Sequence, residues 1–370
     1  MPLLRNQKNM NSDSSIHDTQ AAPEVGKSKL FVPFLLILFS AVAIGFGIRY
    51  YKGKLGATTG VAWEVYFSEV NAVGSPYSLE KRLVDSIGAA TMRVDAALYD
   101  LDAAPVADAL IAAHKRGVQV RVITETDNMA DSEIGRLQDI GIPVSDDKDA
   151  GSLMHHKFIV IDERYVWTGS YNITHNGAYK NNNNVILIDS VPLAYNFTQE
   201  FRELFLDAEV GKPSGAFVAY PKVTLNDGTQ IFTYFSPKGD TISPLLKEIR
   251  SAEKSIHFMA FSFTHDTLGT AMRDSFASGV EVRGVFEARQ TDNPYAEYKA
   301  MKAAGLSVVL DKNGGTMHHK VIVVDAGTVI TGSYNFSKNA EENNSENLLI
   351  IKGNREIAAA YLAEFEKLAR

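Results

Sequence analysis

A chain of 370 residues with 45% apolar and 10% aromatic content can bury a large core, which excludes an extended or low-complexity polymer and suggests two domains or one duplicated domain. The absence of cysteine excludes disulfides, thiol nucleophiles and thiolate metal sites, but leaves the compartment open. The net charge of −7 is unevenly spread: residues 1–54 carry seven Lys or Arg against three Asp or Glu, leaving 30 against 41 in residues 55–370, a balance that disfavours a broad basic surface tracking a long duplex.

Residues 1–29 are polar and aperiodic, the pattern of a disordered tail. Residues 30–48 (LFVPFLLILFSAVAIGFGI) contain no charge and, as a helix of about 28 Å, would match the hydrocarbon thickness of a bilayer. This predicts a single-pass N-terminal membrane anchor. The alternative is a secretory signal cleaved to release the protein, although such signals have a shorter apolar core placed nearer the N-terminus. Lys27 and Lys29 before the segment and Arg49, Lys52 and Lys54 after it give the positive-inside rule little to act on. Residues 49–62 read as a linker.

A first repeat is expected over residues 63–206 and a second over 231–370, separated by a linker at 207–230 that holds Gly211, Pro213, Gly215, Pro221 and Gly228. Trp63-Glu64-Val65-Tyr66-Phe67-Ser68 opens the first and is echoed by Thr233-Tyr234-Phe235-Ser236. Each copy then alternates a helix (79–87, 245–251), a strand (92–98, 255–261), a second helix (106–115, 268–277) stopped by Gly117 or Gly279, and a further strand (118–123, 280–285). This alternation predicts an α/β layered domain present twice. Polar loops at 146–152 and 311–316 precede the most similar stretch of the two copies.

That stretch is MHHKFIVIDERYVWTGSYN at 154–172, which returns at 317–335 as MHHKVIVVDAGTVITGSYN with thirteen of nineteen positions identical. After its first residues both parities are apolar, the pattern of a strand buried on both faces. Side chains alternate on a strand, so His155 and Lys157 share one side and His156 the other, as do His318 and Lys320 against His319. A lysine at the head of a buried strand calls for an anionic partner, and a phosphate oxyanion suits it. Two imidazoles, two ammonium groups, two hydroxyls and two amides fit substitution at a phosphodiester. One histidine attacks phosphorus, the other protonates the leaving oxygen, and water then enters by the reverse route. Lys157, Lys320, Ser170, Ser333, Asn172 and Asn335 would bind the non-bridging oxygens.

These residues resemble the phospholipase D superfamily, whose hallmark is a duplicated His-x-Lys-x4-Asp followed by Gly-Ser-x-Asn. The matching positions are His155, Lys157, Asp162, Gly169, Ser170 and Asn172, then His318, Lys320, Asp325, Gly332, Ser333 and Asn335. The resemblance implies two α-β-α sandwich repeats about a pseudo-twofold axis, one shared active site at their interface, and no metal or other cofactor. Asp162 and Asp325, members of the catalytic motif, are expected to act as hydrogen-bond acceptors near the site rather than as acids or bases. The copies differ at one place. Glu346 supplies an acidic residue after the second motif, where Asn183 stands after the first. In two-copy members these residues support the histidine of the opposite half, which makes Glu346 the orienting partner of His155 and Asn183 that of His318. A carboxylate raises imidazole basicity more than an amide does, so His155 is expected to be the nucleophile and His318 the general acid.

The reading that follows is a membrane-anchored phosphodiesterase hydrolysing a phospholipid headgroup ester, with membrane contact through residues 30–48 and no obligate protein partner. The alternatives are a metal-independent endonuclease acting on DNA or RNA and a phosphatidyltransferase of the cardiolipin synthase type.

Overall fold

The computed structural model describes residues 62–148, 151–207, 218–237 and 239–370. The tail, the apolar segment 30–48 and nearly all of the linker after it lie outside the described residues. Among those described, no helix is long and apolar enough to cross a membrane.

The first half comprises β1 (Trp63–Phe67), α1 (Leu79–Gly88), β2 (Arg93–Leu98), α2 (Ala104–Lys115), β3 (Gln119–Thr124), α3 (Ser132–Asp139), β4 (Val144–Asp146), β5 (Lys157–Ile161), β6 (Tyr165–Gly169), α4 (His175–Tyr179), β7 (Asn184–Asp189) and α5 (Val191–Asp207). The second comprises β8 (Lys222–Thr224), β9 (Gln230–Ser236), α6 (Ile242–Arg250), β10 (Ser255–Ala260), α7 (Asp266–Ala277), β11 (Glu281–Phe286), α8 (Tyr298–Ala303), β12 (Ser307–Leu310), β13 (Lys320–Val324), β14 (Thr328–Gly332), α9 (Lys338–Glu342), β15 (Glu346–Lys352) and α10 (Arg355–Leu368).

The first sheet runs β1-β7-β6-β5-β2-β3-β4 and the second β12-β11-β10-β13-β14-β15-β9-β8. Apart from β8, the strands correspond one to one. Within each sheet the strands joined through helices pair in parallel (β2 with β3, β3 with β4), whereas β5, β6 and β7 form an antiparallel meander. Strand β8 falls inside the stretch read as a linker. Lys222-Val223-Thr224 pairs with β9 across the Asn226-Asp227-Gly228 turn, with Gly228 at φ 86°, and Val223 and Leu225 are buried. Helix α2 starts before the predicted residue 106 because Pro105 occupies its first turn, where a missing N–H costs nothing.

Alternation along the strands divides the core. Ile159 and Ile161 of β5 face α1, α2 and α3, while Phe158 and Val160 face the interior between the sheets. Ile322 and Val324 of β13 likewise face the outer helices of the second half, and Val321 and Val323 the shared interior. That interior is filled by α5 and α10. Helix α5 lies on β2, β3, β5 and β6 and reaches β9; α10 lies on β10, β13 and β14 and reaches β1. The two halves therefore share one core, in which Phe158, Phe197 and Phe235 meet edge to face at 5.0 to 5.2 Å between ring centroids. Each fully buried Phe contributes about 1.5–3 kcal/mol through lost water contact, which holds the halves in one relative position.

Candidate active site

The two copies of MHHK are brought together by backbone bridges that cross between the halves. His155 N–H donates to Ser345 O (3.0 Å) and Ser345 N–H to Leu153 O (2.8 Å); in the mirrored bridge His318 N–H donates to Asn182 O (2.9 Å) and Asn182 N–H to Thr316 O (2.8 Å). Each bridge sets the residue after it, Glu346 or Asn183, beside the opposite histidine. The repeated glycines make room for these strands. A Cβ on Gly169 would lie 2.2 Å from Asn184 O, and one on Gly332 2.2 Å from Asn347 O. Thr174 and Ser337 then cap α4 and α9 by accepting from Gly177 N–H and Ala340 N–H, turning the chain back toward β7 and β15.

His155 Nδ1 lies 2.8 Å from each oxygen of Glu346, a carboxylate with no solvent exposure. The carboxylate places the proton on Nδ1 and leaves Nε2 as a lone pair. His318 Nδ1 faces two acceptors, Ser170 O at 3.0 Å and Asn183 Oδ1 at 3.1 Å, so it too carries a proton. Asn183 is fixed in turn: Oδ1 also accepts from Ser170 Oγ (2.8 Å) and Nδ2 donates to Gly177 O (2.9 Å). The lysines are mirrored. Lys157 Nζ donates to His155 O (2.7 Å) and Lys320 Nζ to His318 O (2.9 Å), each within 4.7 Å of an aromatic centroid, Tyr99 for the first and Phe261 for the second. Those rings also stand edge-on to His155 and His318. The only sequence signal for Tyr99 and Phe261 is that an aromatic follows the corresponding strand in both copies. Glu125 and Glu287, which accept the N–H of Met154 and Met317, were missed as well.

Burial and positive neighbours dominate the electrostatics. Both imidazoles are held well below the usual histidine range, first by burial and then by Lys157 and Lys320, so both are neutral without a ligand. Burial pushes Lys157 down to about 7 against the pull of Glu346, Asp100 and Glu125, and drives Lys320 well down too. Burial raises Glu346 to about 7. Two ammonium groups set against one carboxylate leave an excess of one positive charge when all three are ionised, the complement of a phosphodiester monoanion.

A pH dependence follows. A dialkyl phosphate is a monoanion throughout the neutral range, and it binds where the lysines are charged. Through Lys157, affinity should be greatest below about pH 7 and fall above it, by up to about tenfold per pH unit, until the pKa raised by the bound anion is passed. Calorimetric titration from about pH 6 to 9 measures this; affinity that is flat or rises across that range would remove the lysines from anion binding.

The structure does not bring every expected residue to the site. Ser170 and Ser333, expected to contact substrate, are wholly buried, and their hydroxyls accept the N–H of Asn184 (3.1 Å) and Asn347 (3.0 Å). They hold the start of β7 and β15. Asn172 and Asn335 are only partly buried, and the Oδ1 of each is buried without a hydrogen-bond partner. Asp162 and Asp325 lie at the far ends of β5 and β13, about 16 Å from Lys157 and Lys320 by strand rise. The expectation that they act near the site is corrected. Asp162, at φ 53°, accepts the N–H groups of Thr91, Met92 and Arg93, and Asp325, at φ 52°, those of Glu253, Lys254 and Ser255. These bonds lower both carboxyl pKa values, although burial alone would raise them. Asp162→Ala should cost about 2–3 kcal/mol of stability while the kcat of the folded protein stays near wild type, since charge-assisted bonds and an αL position are lost but no site group moves. Urea unfolding beside steady-state kinetics decides it; a lost kcat at unchanged stability would return Asp162 to the chemistry.

Among the described residues no group of three or more His, Asp or Glu is placed to hold a metal ion.

The comparisons with known proteins agree with this architecture. The family described as "Cardiolipin synthase, PLD-like domain" matches residues 83–205 and again 245–369, one match in each half. "Phospholipase D" from Rickettsia conorii is 32% identical over 134 residues, 36% of this chain and 66% of that protein. Human "Mitochondrial cardiolipin hydrolase" is 36% identical over 126 residues, 34% of this chain and 50% of that protein. The chain thus spans under two thirds of the length of either. The crystal structure of phosphatidylserine synthase from Haemophilus influenzae Rd KW20 superimposes with a TM-score of 0.62 over 83% of this chain and 86% of that one, and at 14% identity it speaks for the fold alone. With the family matched in both halves and the two motifs meeting in one buried site, the chain belongs to the phospholipase D superfamily.

Proposed function

We propose that this protein hydrolyses the headgroup phosphodiester of a phospholipid by double displacement, with His155 as nucleophile and His318 as general acid and then base. The observation that carries the reading is the unequal support of the two imidazoles: a buried carboxylate on His155 and an amide on His318, each at hydrogen-bond distance. The charged partner makes the His155 ring the stronger nucleophile and stabilises the cation that forms on it.

In the first step His155 Nε2 bonds to phosphorus as the bond to the leaving alcohol breaks, and protonated His318 gives its Nε2 proton to that oxygen. Arrival of the phosphate monoanion offsets the two lysines and lets His318 hold this proton. In the second step His318 takes a proton from water, the oxygen bonds to phosphorus, and the P–N bond breaks to return His155. Lys157 and Lys320, with the amides of Asn172 and Asn335, serve the non-bridging oxygens, whose charge peaks in each transition state.

Three features support lipid over nucleic acid. Relatives that match the chain bear the names phospholipase D and cardiolipin hydrolase. Burial first, and then the neighbouring carboxylates of Asp131 and Asp102, lift Asp100 to about 6 against the pull of Lys157, and an acidic cluster beside the site repels a polyanion. The uncharged segment 30–48 suits an anchor that would keep the site near bilayer substrate.

The test is to incubate the full-length chain, with chelator, with vesicles of phosphatidylcholine or cardiolipin and with single-stranded DNA, beside His155→Ala. Release of phosphatidic acid that depends on His155 and ignores chelator is the expected result. DNA cleavage without lipid turnover would overturn the substrate, and activity surviving the His155 change would overturn the mechanism.

A further inference from the structure

The second histidine of each MHHK run has no part in the chemistry above, yet both copies keep it and both bury it completely. His156 faces the shared core, edge-on to Phe158 and Phe235. Its Nε2 lies 3.1 Å from Glu200 Oε1 on α5, and its Nδ1 accepts from Asn347 Nδ2 at 3.2 Å. Asn347 belongs to the other half and directly follows Glu346. Its Oδ1 accepts from Thr168 Oγ1 (2.7 Å), and its Nδ2 also reaches Ser333 Oγ (3.2 Å), which lies close enough to Glu346 to lower its pKa. A buried chain of hydrogen bonds therefore runs from Glu200 through His156 to Asn347, whose neighbour in sequence, Glu346, holds His155, crossing between the halves.

The mirrored chain uses the same residue types but is looser. His319 Nδ1 donates to Asn184 Oδ1 (3.0 Å), whereas its Nε2 stands 3.6 Å from Glu364. Asn184 Nδ2 is taken by Thr331 Oγ1 and Tyr361 OH instead of by a histidine. The tighter chain thus stands behind the carboxylate-supported His155. Stability alone is a weak reason to keep a buried His–Glu pair, because well-packed apolar residues in its place are often neutral or stabilising. A fully satisfied polar network instead selects one arrangement of the groups it joins.

We propose that His156, anchored by Glu200, is a positioning residue that fixes Asn347 and so sets Glu346 on His155. The inference rests on the reading of His155 as nucleophile. It assigns opposite tautomers to the second histidines: Nε2–H on His156, which accepts at Nδ1, and Nδ1–H on His319.

Two measurements on the full-length chain test it. The first is 15N-histidine NMR of the wild type, with the rings assigned through their backbone. Nε2–H on His156 is expected, and Nδ1–H or double protonation there would overturn the chain. The second compares His156→Leu, His156→Gln and His156→Asn by kinetics and urea unfolding. Leu keeps neither partner, Gln reaches only Glu200, and Asn keeps only Asn347. Leu and Gln should lower kcat by about 10- to 100-fold with KM little changed, the range usual for residues that orient a reactive ligand, and Asn should recover most of it. The acid limb of the kcat profile should also move in Leu and Gln. The groups facing His155 that set this limb are Glu346, Lys157, Lys320, His318 and His156, with the Tyr99 ring alongside. Variants that lose stability alone, with kcat and the acid limb unchanged, would make His156 merely structural. A wild type that is inactive, or phosphorylated on His318, would instead sink the underlying reading.

Discussion

His318→Ala should accumulate a phosphoenzyme on His155 when the substrate carries a leaving group that needs no proton, such as a nitrophenyl phosphodiester. His155→Ala should form none and lose turnover by on the order of 10^4- to 10^6-fold, as when one member of a concerted catalytic set is removed. Phosphorus transfer to His155 needs only its Nε2 lone pair, the lysines and a departing anion, all of which survive in His318→Ala. On the proposed mechanism, hydrolysis of the intermediate needs a base to take a proton from water, the role assigned to His318, so the adduct should persist when His318 is removed. The Nδ1 contacts with Glu346 at 2.8 Å would stabilise the cationic ring of the proposed adduct, a benefit the amide of Asn183 would not give His318. Quenched acid-labile phosphate, mapped by peptide mass, reads the result; phosphate found on His318 in the wild type would reverse the roles.

Glu346→Gln should lower kcat by about 10^3- to 10^4-fold, whereas Asn183→Asp should change it far less. The first estimate follows measured losses when a buried carboxylate orienting a catalytic imidazole becomes an amide. Gln can present an N–H to Nδ1, which shifts the proton to Nε2 and removes the lone pair that attacks. Loss of the carboxylate also leaves Lys157 and Lys320 without their shared counter-charge, lowering both pKa values further and weakening anion binding above neutrality. Asn183→Asp, in contrast, keeps an acceptor facing His318 Nδ1 and Ser170 Oγ and sacrifices only the bond to Gly177 O. Steady-state kinetics on the two variants settles the asymmetry. Equal losses would mean that the carboxylate does not distinguish the two histidines.

Much of the site was legible in the repeat. A strand period of two put His155 with Lys157 and left His156 opposite, and the structure places His156 in the core beside Phe158. The same period hid the distance between Lys157 and Asp162: five extended residues carry the aspartate to the other end of the strand, where its carboxylate ties down residues 91–93. For Ser170 and Ser333 the sequence alone does not show that the hydroxyl engages the backbone of the next strand, because a hydroxyl beside an asparagine reads alike in either setting. The folded chain shows each hydroxyl accepting the N–H of the residue that begins or follows the next strand's start, Asn184 or Asn347.

By itself the sequence determined that the chain is doubled, that each copy alternates strands and helices, and that each supplies a histidine and a lysine at the head of a buried strand. These are local properties, carried by periodicity and by residues a few positions apart. The tertiary structure decided which groups meet: Glu346 with His155 and Asn347 with His156, partners 191 residues apart. Such contacts depend on the register of backbone bridges between the halves and on the core that α5 and α10 share. No local pattern encodes them, because packing and cross-strand hydrogen bonding fix that register only after the halves have docked.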